Sequence, residues 1–183
     1  MKQSAFLKKF IDDTYVGAVA QTSKFGVKNV CSKIDFSKDL TLVEYGPGDG
    51  VFTKYLLDRM TQSSTLVAIE ANSDFVNELR LISDPRLKIV HGKAEHVRDI
   101  LGALGKPRAD YVISGIPFTF FRPQQRAALV QSTHESLSSG GKFLVYQYSP
   151  LMAPYLAKEF NEVTLGFVPI NMPPMFVMEA KKA

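Results

Sequence analysis

The chain carries Thr41-Leu-Val-Glu-Tyr-Gly-Pro-Gly-Asp-Gly-Val-Phe52, and this stretch decides its fold. Its first residues are apolar apart from Glu44 and predict a buried strand. Three alternating glycines follow, Gly46, Gly48 and Gly50; glycine permits positive φ and lets the backbone approach a ligand without a Cβ in the way. The helix predicted to begin near Gly50 presents free N–H groups at its first turn. The stretch therefore predicts a strand–turn–helix unit built to hold a ligand.

A second apolar strand, Leu66-Val-Ala-Ile-Glu70, ends in a carboxylate that follows Gly50 by 20 residues. A carboxylate at this distance is placed to accept hydrogen bonds from ribose hydroxyls. The pattern is typical of sites for dinucleotides and for S-adenosylmethionine. A dinucleotide site cradles a pyrophosphate, which Glu44 and Asp49 would repel, whereas a carboxylate suits the ammonium of a methionine moiety. The residues favour S-adenosylmethionine.

The glycine-rich run resembles the first motif of the class I S-adenosylmethionine-dependent methyltransferases, Glu-x-Gly-x-Gly-x-Gly. That family usually places Gly-Asp-Ala after its third strand, with the acid near the adenine amino group. Here Lys93 stands in place of that acid, which leaves the adenine contact to the backbone at Ala94 or to Glu95. The cofactor-binding residues that the resemblance implies are Glu44, Tyr45, Gly46, Gly48, Gly50, Glu70, Ala71, Ala94, Glu95, Ser114, Gly115 and Ile116.

Strands alternate with helices along the chain, and the strands are near-continuous apolar runs. This order predicts an α/β fold with a doubly wound, mostly parallel sheet covered on both faces. The family resemblance adds a closing antiparallel pair and hence seven strands. The predicted strands are Thr41–Tyr45, Thr65–Glu70, Leu87–Val90, Asp110–Ser114, Lys142–Tyr148, Val163–Pro169 and Met175–Ala180. The predicted helices are Lys24–Ile34, Val51–Met60, one capped by Ser73, Ala94–Leu104, one from Pro123 to Gly140-Gly141, and Pro154–Phe160.

Size and composition predict one domain, with a basic helical segment at 1–38 and a catalytic core at 39–183. A chain of 183 residues, 45% of them hydrophobic, can bury a sizeable core. It has no run long enough to span a bilayer, and its first residues lack the apolar core of a signal peptide. Cys31 is expected to be an inert buried thiol, and the three histidines have no zinc-ligand spacing. We expect a cytoplasmic monomer without a metal.

The positive charge is concentrated at the start of the chain. Residues 1–38 contain seven lysines and three aspartates, a balance of +4 that equals the net charge of the whole protein. This asymmetry predicts a polyanionic partner, either anionic lipid or nucleic acid. The leading helix could lie in a lipid interface, or it could cap the sheet with its lysines solvated. Its apolar face and flanking lysines are Phe6, Leu7, Phe10, Ile11, Lys2, Lys8 and Lys9.

The end of the fourth strand, Ser114-Gly-Ile-Pro-Phe118, bears on the substrate. Enzymes that methylate exocyclic amines of adenine typically carry an Asn- or Asp-led Pro-Pro-Tyr or Leu-Pro-Tyr motif here. In this chain Gly115 displaces the polar residue, so an amide-type grip on a base amine is lost. Pro117 and Phe118 are expected to form an apolar wall beside the methyl group. The alternative is that Phe118 to Phe121 are ordinary core or a hydrophobic lid.

The combination of motifs resembles the short bacterial phospholipid N-methyltransferases over most of the chain. The resemblance implies a phosphatidylethanolamine-like substrate at the inner membrane face, with Thr22 and Ser23 covering the methionine end of the cofactor. Tyr148 is the candidate for orienting the amine, assisted by Tyr146 or Glu95; the alternative is a tyrosine packed at the sheet edge. The matching motifs are Phe-Leu-x-x-Phe at the start, Gly17-Ala-Val-Ala-Gln-Thr-Ser23, Val43-Glu-Tyr-Gly-Pro-Gly48, Ser114-Gly-Ile-Pro117, Arg122-Pro-Gln-Gln-Arg126, Phe143-Leu-Val-Tyr-Gln-Tyr148 and Asn171-Met-Pro-Pro174.

Two other functions remain open at this point. A protein similar to the ribosomal RNA adenine dimethyltransferases would share the first motif and the basic charge. The missing Asn before Pro117 and the lack of an extra RNA-binding domain disfavour it. A non-catalytic cofactor- or lipid-binding module of the same fold is the third possibility, disfavoured by the intact Glu44, Gly46, Gly48 and Glu70.

Overall fold

The computed structural model of the chain describes residues 23–171 and 173–183. Within them lies one seven-stranded sheet in the order β3-β2-β1-β4-β5-β7-β6. Strands β1 to β5 are parallel, whereas β7 runs antiparallel to β5 and β6. The predicted fold class is confirmed. The strands are β1 Thr41–Tyr45, β2 Thr65–Glu70, β3 Leu87–His91, β4 Ala109–Ser114, β5 Leu137–Gln147, β6 Glu162–Val168 and β7 Met175–Lys181.

Helices cover both faces of the sheet, as expected for parallel strands that are apolar on both sides. One face packs against α1 and α2 through a core that includes Val30, Leu42 and Leu56. The other packs against α4, α5 and α6 through a core that includes Val43 and Leu129. The helices of the described residues are α1 Lys24–Cys31, α2 Val51–Leu57, α3 Ser73–Leu79, α4 Val97–Ala103, α5 Pro123–Ser136 and α6 Ala153–Glu159.

Helices α1 and α2 end three residues earlier than predicted. After Cys31 the backbone tightens, and the N–H of Ile34 donates to the carbonyl of Cys31, as helix ends commonly do. At α2 the guanidinium of Arg86 donates to the carbonyls of Leu57 at 2.8 Å and Met60 at 2.7 Å. These carbonyls at the helix end are therefore satisfied by a side chain 26 or more positions away in sequence.

Two helix starts also differ from prediction. Asn72, not Ser73, caps α3, because its side-chain oxygen accepts the N–H of Asp74 at 2.8 Å. The predicted helix Ala94–Leu104 is a 3₁₀ turn, Ala94–His96, followed by α4.

The predicted end of α5 at Gly140-Gly141 is wrong. The helix ends at Ser136, and the glycine pair lies inside β5. Gly140 has φ of 75°, and its N–H donates to the carbonyl of Lys182, whose own N–H donates to the carbonyl of Gly141. The ammonium of Lys182 donates to the carbonyls of His134 and Leu137 at 2.8 Å each. The cap of α5 therefore comes from the end of the chain.

Several predictions concern residues 1–22, which lie outside the described residues. They include the leading amphipathic helix and Thr22. In the described ranges, every helix is too short or too polar to cross a bilayer.

Tyr45 illustrates how β1 is fixed to the core. Its side chain is fully buried, and its hydroxyl lies 3.0 Å from Oγ1 of Thr133 on α5. Thr133 itself donates to the carbonyl of Leu129. Because the Tyr45 ring points away from the glycine turn, only its backbone can contribute to a site at the end of β1.

We expect Thr133→Val to lower the free energy of unfolding more than Tyr45→Phe. The valine leaves a buried phenol without a partner, at a cost of about 1–3 kcal/mol, whereas Tyr45→Phe leaves Thr133 bonded to Leu129. Urea unfolding of both variants and of the double variant measures the coupling. Tyr45→Phe is also expected to bind S-adenosylhomocysteine normally; weakened binding would contradict the backbone-only role.

Candidate active site at the carboxyl edge of the sheet

The carboxyl ends of β1, β2, β4 and β5 meet at one edge of the sheet, where the topology of an open α/β fold places its ligand site. The turn after β1 has positive φ at its three glycines: 65° at Gly46, 56° at Gly48 and 77° at Gly50. A Cβ on Gly46 would lie 3.1 Å from Ile116 at the end of β4. Substitution there is disfavoured by both conformation and space.

Glu44 is the buried acid of this edge, with 2% of its surface exposed. Its Oε2 accepts the hydroxyl of Thr53 on α2 at 2.7 Å. Its Oε1 has no hydrogen-bond partner among the described residues. Burial, together with the negative charges of Glu70 and Asp49, raises the pKa of Glu44 to about 8, against the opposing effect of the Thr53 hydrogen bond. An unpartnered carboxylate oxygen at a ligand edge fits a cationic group such as an ammonium.

Glu70 closes the glycine turn from the neighbouring strand. Its Oε2 accepts the N–H of Gly48 at 3.2 Å, and its Oε1 accepts the N–H of Asn72 at 2.8 Å. Each oxygen keeps a second lone pair for another donor. Ala71, next in the chain, is exposed, and its carbonyl lies 3.2 Å from Nε2 of His91.

The end of β3 carries Lys93, Ala94 and Glu95. Lys93 is exposed and Ala94 is buried. The backbone of Glu95 faces α5, because its carbonyl accepts the hydroxyl of Ser132 at 3.3 Å. Glu95 therefore lies on the α5 side of the sheet.

The end of β4 turns sharply after Ser114. Ser114 is fully buried, and its hydroxyl accepts the N–H of Ile116 at 3.3 Å. Phe118 is also fully buried and packs 5.5 Å from the ring of Phe121. The wall predicted from Pro117 and Phe118 is therefore wrong for Phe118, which belongs to the core, as the alternative had it.

Tyr146 on β5 lies directly over Gly115. A Cβ on Gly115 would overlap the phenol ring, with the ring's Cε2 only 2.7 Å away. Phe52 of α2 stacks on the Tyr146 ring, with centroids 4.4 Å apart and planes 16° from parallel. Burial and the nearby charge of Glu44 raise the pKa of Tyr146 well above its ordinary value. The phenol occupies the space that a side chain at position 115 would fill.

Tyr148 is half-buried and shares a side-chain hydrogen bond with Asn171, in the turn between β6 and β7. Burial raises its pKa. Oδ1 of Asn171 also accepts the N–H and the hydroxyl of Ser23, at 3.2 and 2.7 Å. Ser23 in turn caps α1 by accepting the N–H of Gly26 at 3.1 Å. Asn171 thus connects the start of α1 to the end of β5.

The structure brings some predicted residues together and separates others. Glu44, Gly115 and Tyr146 converge on the α1 and α2 side, and Tyr148 shares that side. Glu95 lies on the opposite side. Sequence reasoning missed three contributors: Thr53, Phe52 and Asn171. The Asn171-Met-Pro-Pro174 motif was a usable signal for the last, whereas nothing local to Thr53 or Phe52 indicates their partners.

Comparisons with known proteins agree with this geometry. Residues 20–97 match the family model described as ribosomal RNA adenine dimethylase. Over 173 residues the chain is 28% identical to an ornithine lipid N-methyltransferase of Singulisphaera acidiphila, covering 92% of this chain and 90% of that protein. The chain is a class I S-adenosylmethionine-dependent methyltransferase. Among such enzymes it resembles the lipid N-methyltransferases.

Solved structures support the fold of this methyltransferase. A 1,6-didemethyltoxoflavin-N1-methyltransferase of Burkholderia thailandensis has a TM-score of 0.72 at 16% identity, covering 98% of this chain and 86% of that one. A precorrin-6y C5,15-methyltransferase of Geobacter metallireducens has a TM-score of 0.70 at 15% identity, covering 89% and 90%.

We expect Glu44→Gln to flatten the pH dependence of stability of the cofactor-free methyltransferase. The folded pKa of Glu44, about 8, exceeds its ordinary value of 4.5. The stability that the protonated Glu44 contributes is therefore fully present below the ordinary pKa of 4.5. It is lost as the pH rises through the folded pKa of about 8. Relative to the wild type, the free energy of unfolding of Glu44→Gln should be about a few kcal/mol higher at pH 8 than at pH 4.5.

Melting temperatures of the wild type and Glu44→Gln across this pH range measure the effect. Asp99→Asn, at an exposed position of α4 away from Glu44, is the control and should follow the wild type. Parallel curves for the wild type and Glu44→Gln would contradict the raised pKa.

Proposed function

We propose that this methyltransferase methylates the amine of a phospholipid headgroup such as phosphatidylethanolamine, working as a peripheral protein at the cytoplasmic face of the membrane. The observation that carries the proposal is the packing of the Tyr146 phenol over Gly115. It puts one hydroxyl and an aromatic stack where an adenine-specific enzyme presents a polar side chain and a stacking ring.

The chemistry of an alkyl amine suits this arrangement. The exocyclic amine of a base is planar and is bound by a polar side chain such as an amide, which Gly115 lacks. A headgroup amine is tetrahedral and flexible, and a single phenol oxygen can orient it. Aromatic faces also attract cations, so the half-buried ring of Tyr148 suits a headgroup that gains methyl groups and becomes a permanent cation. The lipid N-methyltransferase relative, at 28% identity, supports the same substrate class.

The residues of this edge fit S-adenosylmethionine. We assign the ammonium of its methionine part to the free oxygen of Glu44, because that oxygen is buried without a partner in the described residues. We assign the ribose hydroxyls to Glu70, the backbone approach to Tyr45, Gly46, Gly48 and Gly50, and the remaining contacts to Ala71, Ala94, Glu95, Ser114, Gly115, Ile116, Thr22 and Ser23. When bound, the cofactor supplies an electrophilic methyl group on a sulfonium.

The headgroup ammonium first has to lose a proton to solvent. The chain's own residues then have to align the neutral amine and exclude water, since methyl transfer needs no covalent enzyme intermediate. Tyr146 is the first candidate for orienting the neutral amine, because its hydroxyl lies where a side chain at position 115 would be. Tyr148 is the second, since it is already bonded to Asn171. Glu95 is the least suited of the three, because it follows β3, which three other strands separate from β5 in the sheet.

Methylation of adenine in RNA is the second candidate, and the match to the ribosomal RNA adenine dimethylase model favours it. That match ends at residue 97. It covers the glycine turn and Glu70 but stops before β4 and β5, whose ends bear on the acceptor. The match therefore supports the cofactor-binding part of the site and carries no information on the acceptor.

The substrate class is tested with labelled S-adenosylmethionine and three acceptors in separate reactions. These are anionic vesicles containing phosphatidylethanolamine, the same vesicles containing ornithine lipid, and ribosomal RNA. We expect label in phosphatidylethanolamine. Label in ornithine lipid alone would contradict phosphatidylethanolamine as the headgroup but would keep a lipid amine as the acceptor. Label in RNA alone would overturn the proposal.

We expect Tyr146→Phe to lower kcat about tenfold or more with the lipid acceptor, because the amine loses its orienting oxygen. Affinity for S-adenosylhomocysteine should stay unchanged. Tyr148→Phe should have a smaller effect on kcat. Tyr55→Phe, a tyrosine of α2 covered by Arg59, is the matched control. Full kcat in Tyr146→Phe would remove that residue from the proposed role.

A further inference from the structure

An exposed apolar rim lies at the carboxyl edge of the sheet, near the ends of β4 and β5. Its members are Ile170 at 70% exposure, Phe167 at 56%, Phe120 at 53% and Phe25 at 47%. Large side chains left in water in this way are informative when they cluster at one edge.

The structure puts these residues at one edge. Ile170 precedes Asn171, whose oxygen holds Ser23, and Phe25 lies in the first turn of the helix that Ser23 caps. Phe167 packs against Phe176 with centroids 5.1 Å apart, and Phe176 lies opposite Gln147 at the end of β5. Phe120 follows the end of β4, the parallel neighbour of β5.

Basic and acidic residues are found on different parts of this edge. The segments that contribute the rim and the β5 end are 23–28, 115–126, 147–155 and 167–176. They contain Lys24, Lys28, Arg122 and Arg126 and no acidic residue. The acids at the ends of β1 and β2, Glu44, Asp49 and Glu70, belong to the cofactor half. The rim is therefore both apolar and basic.

We infer that the rim formed by Phe25, Phe120, Phe167 and Ile170 seats on an anionic lipid bilayer and turns the opening of the site toward it. Apolar side chains among basic ones are the combination that an anionic interface binds. A nucleic acid would match the basic residues but would leave the exposed Ile170 and Phe167 in water. The inference rests on the proposed function for its biological purpose, and it adds a surface separate from the leading helix.

The absence of tryptophan from the sequence allows a direct test. Ile170→Trp in the full-length chain gives one tryptophan at the rim. Leu81→Trp, at an apolar residue 84% exposed after α3, gives a matched control. We add vesicles of phosphatidylcholine and phosphatidylglycerol, which contain no acceptor amine. The inference expects a blue shift of emission for Ile170→Trp and none for Leu81→Trp. No shift at Ile170, or equal shifts at both sites, would overturn it.

A second measurement removes the rim instead of labelling it. Phe25→Ser with Ile170→Ser should weaken binding to these vesicles about tenfold, and raised salt should weaken wild-type binding too. Leu81→Ser with Leu104→Ser removes two exposed apolar residues elsewhere and should bind as the wild type does. Thermal stabilisation by S-adenosylhomocysteine checks that each variant is folded. Wild-type vesicle binding by the rim variant would overturn the inference.

The two proposals fail separately. A protein that seats its rim on these vesicles but methylates no lipid would keep this inference and refute the proposed function. A protein that methylates phosphatidylethanolamine in vesicles equally well with and without the rim residues would keep the function and refute the inference. Short-chain phosphatidylethanolamine dispersed in water should be methylated equally by both forms.

Discussion

The site at the end of β1 depends on the burial of Glu44, because the residues around it have to stabilise a carboxyl group that is removed from water. A carboxyl group with 2% exposure and one unpartnered oxygen is costly in a protein interior. Thr53 satisfies the other oxygen, and the raised pKa shows that the pocket favours the neutral acid. A cationic ligand reverses that preference, because it favours the ionised form. The same residue therefore destabilises the empty site near neutral pH and provides attraction for an ammonium.

A second constraint links the two strands beside β1. Tyr146 can lie where it does only because residue 115 has no side chain. The end of β4 and the end of β5 are therefore one unit, in which a glycine on one strand makes room for a phenol on the next. Phe52 supports the ring from α2, so the tyrosine is held on two sides. Such a rigid phenol needs little reorganisation to align an acceptor.

The sequence was sufficient for the fold class and for the glycine turn, because both depend on local signals: apolar strands, alternating glycines and terminal acids. It also located β1 and β2 to the residue. It failed where distant residues decide the outcome. Arg86 ends α2, and Lys182 ends α5 and draws Gly140-Gly141 into β5. The packing of Tyr146 on Gly115 is of the same kind, since the absence of a side chain indicates space but not what fills it.

Asn171 joins the parts of the site that sequence treats as separate. It receives two hydrogen bonds from Ser23, shares one with Tyr148 and donates to the carbonyl of Pro173 at 2.7 Å. Its amide thus ties the start of α1, the end of β5 and the turn before β7 into one rigid corner, buried to 1% exposure. Ile170 and Phe25 extend outward from this corner, whereas Tyr148 extends inward from it. A single side chain therefore joins the backbone that carries the outer residues to the end of β5 that carries Tyr148, and the glycine turn takes no part in this connection.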